Sequence, residues 1–459
     1  MMNFILCAIT LLGFYNAAII FLRIPSAFSP IFTISCIGLI LYFSALAQHL
    51  AFTLTVLTYL GLLFFVITLC KNIFFSHDQH AIADNTKYLI LIISAAALTL
   101  TGTHILRYPD ETHFWGPLTY FIDQYHQLPT PNTAHFGFLD YPPGAALFHT
   151  FILTAFHADR DAILYFSQVV IIFSCVFVVT ALKEWKEITV AILLCMVILS
   201  DFRATFLYCI YVDTLVGCFF AAIIMINQLS VESKQKTLLM LLPLLCYMIL
   251  IKQVGFPLAL FTLFVIAVTI RSHLFLLLAM LVACLLVHAS WVLHYHALGV
   301  HKAFQISPHA SVHSQLIVKK FIVAFFIFGK NFSRLTLSPF LTMIIIWFVY
   351  FAIFKKAKLQ LQAILLSLGA VLFSAGLLIL YLHSYTFSEA RHLASVGRYL
   401  DIYFIGWSMI VATQFVQHTA FKNTGIILLC VALMVVAMAA SAVADSKRDL
   451  TPPHTDYHH

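Results

Sequence analysis

Charge is what this sequence has least of. Asp, Glu, Lys and Arg make up 9% of its 459 residues, against 62% hydrophobic. A soluble chain of this length needs far more polar surface to cover its core, so a soluble globular protein is excluded. The ten cysteines form no CxxC pair and lie in apolar runs, which argues against a disulfide framework or a zinc ribbon. A basic leader region and a small-residue cleavage site are both missing at the N-terminus, so its apolar run reads as a retained helix. Alternating segments of about ten residues, the mark of a transmembrane barrel, do not occur. Nor is there a block of basic residues to carry nucleic acid. The net charge of +7 comes from Lys and Arg set singly or in pairs between apolar runs, as the positive-inside rule expects. No short-period repeat is evident, and no pair of matching halves with interrupted helices suggests an inverted-repeat transporter.

What is present is a succession of apolar runs, many of them matching the thickness of a bilayer core. The fold class they predict is an all-α polytopic membrane protein with about fourteen transmembrane helices and external interfacial helices. Residues 1–105 hold the first four spans, 3–22, 29–48, 51–70 and 88–105. A long external segment follows, 106–160. Central spans fill 161–294, a second external loop runs 295–336, and the last spans occupy 337–444 before a polar tail, 445–459. Arg23, Lys71, Lys87, Lys183, Lys186 and the dense Lys355, Lys356, Lys358 cluster mark the cytoplasmic side. Within 106–160, Phe114, Leu118, Phe121, Ile122 and Tyr125 recur at helical spacing and predict an interfacial helix. Ala145 to Phe156 is apolar but too short to span easily, and reads as a second interfacial or dipping helix. Counting it as a span would put Lys183 and Lys186 outside.

In so uncharged a chain, Arg107-Tyr-Pro-Asp-Glu-Thr-His-Phe-Trp-Gly-Pro117 stands out, with adjacent Asp110 and Glu111. One reading is helix capping, which Pro117 weakens because proline belongs in a first helical turn and would start the helix near Gly116. The other is a general base for an acceptor hydroxyl, from either carboxylate; acceptor orientation and metal binding stay open beside it. A second acidic knot, Asp140-Tyr-Pro-Pro-Gly144, is a rigid turn that would aim Asp140 and Tyr141 at the first pair. Asp213, at the start of an apolar span, should face the bundle or water. Lys252, flanked by apolar runs, either snorkels to the interface or meets a substrate phosphate. Arg203 lies in an external connection. Arg391, His392 and Arg398, in an external loop, form a candidate phosphate clamp. His301, His309 and His313 share no ligand-triad spacing, so no metal site is assigned.

These residues resemble landmarks of the GT-C superfamily of integral-membrane glycosyltransferases, in the branch of protein O-mannosyltransferases and aminoarabinose transferases. Pro109-Asp-Glu-Thr-His-Phe114 looks like that branch's acidic first-loop motif. Asp140-Tyr-Pro-Pro-Gly144 is similar to its Asp-x-His-Pro-Pro element, with Tyr141 in place of the His. Tyr211-Val-Asp213, Lys252-Gln-Val-Gly255 and Gly397-Arg-Tyr-Leu400 are weaker landmarks. The resemblance implies inverting transfer of a sugar from a polyprenyl-phosphate donor to a lipid, glycan or protein acceptor, at the periplasmic or external face of a bacterial inner membrane. It implies no required cofactor and leaves metal dependence open. Asp110 would be the loop carboxylate, with Lys252 and Arg398 near the lipid phosphate. Two features depart from the pattern: about four spans precede the acidic loop, and the His is missing. The competing expectation is a transporter or flippase of a lipid-linked saccharide.

Overall fold

A computed structural model describes residues 2–75, 79–99, 106, 108–133, 136–156, 160–202, 209–270, 272–300, 314–328, 338–353 and 357–418. Among them every regular element is helical. The first four helices are α1 (Met2–Ile20), α2 (Ser29–Leu46), α3 (Leu50–Phe75) and α4 (Gln79–Thr99). A π-helical turn, Glu111–Trp115, leads into α5 (Gly116–Tyr125), and α6 (Gly144–Phe156) follows the double proline. Next come α7 (Arg160–Val176), extended by a 3-10 turn, α8 (Trp185–Phe202), α9 (Val212–Leu229) and α10 (Lys234–Ile251). Then come α11 (Gly255–Ile270), α12 (Leu274–Ala297), α13 (Ser314–Val323), α14 (Pro339–Ile353), α15 (Ala357–His383), the short α16 (Phe387–His392) and α17 (Val396–His418).

Eight of these helices are long and apolar enough to cross a bilayer, as a polytopic helical membrane protein requires. Helices also form within the expected spans 3–22, 88–105, 254–270 and 337–354, over the described residues, but their apolar stretches are shorter. The last expected span, 423–444, and the tail lie outside the described residues. The long apolar helices differ in what they face. In α9, 89% of the span is buried; in α3 it is 22%, with Phe52, Tyr59 and Leu63 turned outward. An outward apolar face on a helix of bilayer length is what lipid accommodates and water does not.

The segment 116–125 forms the expected helix. Leu118, Phe121 and Ile122 are buried, whereas Tyr125 is exposed. The helix 144–156 requires a correction. Its side chains from Ala145 to Leu153 are buried with no open face, and it packs among α1, α2, α5, α7 and α10. Enclosed by other helices, it has no water-facing stripe of the kind an interfacial helix carries, which leaves the dipping alternative. At 13 residues it is about 20 Å long, too short to cross.

Three close approaches align the elements that matter for the site. A Cβ on Gly217 of α9 would lie 2.6 Å from the Ile402 carbonyl of α17, and one on Gly406 would lie 2.7 Å from the Gly217 carbonyl. The backbones of α9 and α17 therefore touch one turn from Asp213 and Arg398. Where α10 ends, Lys252 is extended (φ −158°, ψ 154°), and the Gly255 N–H donates to the Lys252 carbonyl at 2.8 Å. The Tyr247 hydroxyl donates to the Gly144 carbonyl at 3.0 Å, tying the proline turn to α10.

Candidate functional site

The acidic loop is held from three directions before its chemistry is considered. Glu111 is fully buried, and its carboxylate accepts the Ile210 N–H at 2.7 Å and the Tyr108 N–H at 3.1 Å. Asp161 of α7 accepts the Leu106 N–H at 3.3 Å and the Tyr120 hydroxyl. The Asp110 N–H donates to the Tyr211 hydroxyl at 3.4 Å. Phe114 packs edge-on against Trp115, Phe136, Phe138 and Tyr141. The adjacent carboxylates thus have separate work. Glu111 satisfies buried backbone donors, which removes it as a base within reach of substrate. Asp110 directly precedes the π-turn as its N-cap, yet its side chain makes no capping bond there. Its carboxylate instead accepts from Arg398 Nη1, with the Asp110 side chain 38% exposed.

Four charged residues, far apart in sequence, meet at this point. Asp213 is 2% exposed and holds two cations: Lys252 Nζ at 2.6 Å on Oδ1 and Arg398 Nε at 3.4 Å on Oδ2. Arg398 also holds Asp110. The guanidinium lies between two aromatic faces, 4.8 Å from the Tyr211 ring centre and 5.3 Å from that of Tyr399; Lys252 Nζ lies 4.9 Å from the Tyr399 ring centre. A lone lysine or arginine at this depth would be costly, and the shared carboxylate with aromatic walls offsets that cost.

Asp140 is buried beside this quartet but belongs to the scaffold. Its carboxylate accepts Gln253 Nε2 at 2.7 Å, and its carbonyl accepts Trp291 Nε1 at 2.9 Å. Tyr141 projects from the same turn into the cavity described below. Burial, the Tyr399 hydroxyl and the carboxylates of Asp140, Asp213 and Asp110 hold its phenol well above its ordinary pKa, so it stays a hydrogen-bond donor.

From Tyr141 and Lys252 a cavity of about 480 Å³ runs into the bundle between α11 and α15. Val254, Pro257, Leu258 and Phe261 line one wall, and Gly369, Leu372, Phe373, Gly376, Leu377 and Leu380 line the other. Those positions recur at helical spacing, so each helix gives the cavity one continuous face. The lined stretch of α15 is about 16 Å long at 1.5 Å per residue. The chamber is thus polar at one end and apolar for its remaining length. Such a chamber matches an amphipathic molecule.

Of the expected site residues, Asp110, Asp213, Lys252 and Arg398 are brought into one ion cluster, with Tyr141 at its edge. Glu111 and Asp140 are adjacent but structural. Arg391 and His392 are not brought in. Both are exposed on α16, where the Arg391 carbonyl accepts Lys320 Nζ at 2.7 Å and His392 Nδ1 donates to the Ser388 carbonyl at 2.8 Å. Arg203 lies outside the described residues, as do His301, His309 and His313. Among the described residues no group of three His, Cys, Asp or Glu side chains has metal-holding geometry. Tyr399, Tyr385 and Trp291 were not singled out from the sequence. In a chain with 15% aromatics, aromatic identity carries little signal, although Tyr399 directly follows Arg398. The chain matches no protein-family model, no curated protein and no solved structure.

Proposed function

We propose that the protein is a membrane glycosyltransferase of the GT-C type, which moves a sugar from a polyprenyl-phosphate donor to a hydroxyl of a lipid, glycan or protein acceptor. The observation that carries this reading is the ion cluster in which Lys252 lines the polar end of an apolar cavity and shares Asp213 with Arg398, which in turn holds the partly exposed carboxylate of Asp110. The polyprenyl tail lies between α11 and α15, and the phosphate meets Lys252 and Arg398. Asp110 takes the acceptor proton as the acceptor oxygen bonds to the anomeric carbon. The bond from that carbon to the phosphate oxygen breaks, and its electron pair leaves with the phosphate. Tyr141 donates a hydrogen bond near the reacting centre. Attack opposite the leaving group inverts the anomeric configuration.

In this proposal the chain has about fourteen spans, and the Asp110 loop faces away from the Lys355, Lys356 and Lys358 side. That face is the periplasmic or external side of a bacterial inner membrane. The test is transfer by the purified protein from a panel of radiolabelled polyprenyl-phosphate sugars into a membrane extract. Label appearing in an acceptor supports the reading. Absence of transfer from every donor, together with donor movement across liposomes containing the protein, replaces it with a flippase.

A further inference from the structure

The ion cluster has a feature that bears on the order of events, and its meaning rests on the donor reading given above. Its two cations face two carboxylates, and those carboxylates are held very differently. Asp213 is 2% exposed and uses one oxygen on Lys252 and the other on Arg398. It is a fixed counter-ion. Asp110 is 38% exposed and bonds the same guanidinium from a single turn at the edge of the cluster. It is the exchangeable one.

We infer that the donor phosphate replaces Asp110 on Arg398, so that donor binding itself releases the base. Four observations lead there. With both carboxylates in place, the cluster of Lys252, Arg398, Asp213 and Asp110 carries no excess positive charge, so an anion enters it by exchange and not by addition. A phosphate offers the guanidinium the same planar, charge-assisted contact that a carboxylate does. The Asp110 oxygen that accepts from Arg398 is turned toward the guanidinium, and its release leaves the whole carboxylate able to turn toward an acceptor hydroxyl. Finally, the loop backbone stays anchored if the side chain turns. The Asp110 N–H is on the Tyr211 hydroxyl at 3.4 Å, and the neighbouring Glu111 holds the Ile210 N–H at 2.7 Å. Only the Asp110 side chain has to rotate. Acceptor arriving before donor meets a carboxylate held on Arg398 through one oxygen, and acceptor arriving after donor meets one released from it. Donor binding therefore favours productive engagement of the acceptor.

The test reads binding and not transfer. Affinity for sugar-free undecaprenyl monophosphate is measured in detergent micelles for the wild type, Asp110→Asn and Asp110→Glu. Removing the competing charge in Asp110→Asn should tighten binding about fivefold, the scale of a partly exposed ion pair, while Asp110→Glu binds as the wild type does. Equal or weaker binding by Asp110→Asn overturns the exchange and leaves the donor reading standing. No binding by any form overturns both. A second measurement needs no variant. Carbodiimide modification of Asp110 in the wild type, followed by mass spectrometry, should rise when undecaprenyl monophosphate is added. An unchanged or lower yield overturns the exchange.

Discussion

Two groups of basic residues lie in the second half of the chain, and in the sequence they look like parts of one clamp. Lys252 and Arg398 are buried against Asp213 beside aromatic rings, and Lys252 lines the end of an apolar cavity. Arg391 and His392 sit only seven and six residues before Arg398, yet both are exposed on a short helix and are fixed through backbone contacts. The difference teaches that charge alone does not make a site. A buried cation has lost its water and is held by a specific partner, so exchanging that partner has a defined consequence. An exposed cation keeps its water and is screened by salt.

The largest expected effect comes from breaking the buried side of this comparison. Asp213→Ala leaves Lys252 and Arg398 close together without their shared counter-ion. Removal of one partner from a buried pair costs about 3–5 kcal/mol, so the variant should show a marked loss of thermal stability in detergent. A melting curve like the wild type's would mean that Asp213 is not the keystone of the cluster. Next in size is Glu111→Gln. One oxygen of the pair that accepts the Ile210 and Tyr108 N–H groups becomes a donor, at a cost of about 1–3 kcal/mol. Chemical denaturation measures it, and transfer per folded molecule should fall far less than in Asp110→Asn.

A smaller effect sharpens the link between the cluster and the cavity. A Cβ on Gly376 meets nothing within 4 Å, so Gly376→Leu fills cavity space without a backbone clash. It should raise the donor KM about tenfold, a change of about 1.4 kcal/mol, with the acceptor KM unmoved. Kinetics with each substrate varied in turn distinguish the two. The smallest effect belongs to the exposed pair. Arg391→Ala and His392→Ala should leave transfer within about twofold of the wild type, as solvated charges contribute little. A large loss in either would move the phosphate clamp onto α16.

How much of this was legible beforehand depends on the kind of signal. The helical membrane class follows from composition, because apolar runs of bilayer length have few other uses. The positions of Asp110, Asp213, Lys252 and Arg398 were legible for a related reason: a charge inside an apolar chain needs a cause. Which of them pair was not legible, since Asp110 and Arg398 are joined only by the folding of helices far apart in sequence. The separate fates of Asp110 and Glu111 were also hidden. They depend on a π-turn that leaves one carboxylate on buried backbone donors and the other on the Arg398 guanidinium, and neighbouring residues of one type carry no mark of that. The same holds for α6. Its apolar length suggested an interfacial helix, but with helices packed all around it the segment is core.

The most direct test of the account is sugar transfer by Asp110→Asn beside the wild type, on purified protein that elutes and melts alike in both forms. The carboxylate is half-exposed and caps no helix with its side chain, so the variant should fold and insert normally. The account predicts a loss of transfer of about 10²–10⁴-fold, the scale of a general base. Transfer near the wild-type rate would contradict it and take the base, and with it the role of the acidic loop, away from Asp110.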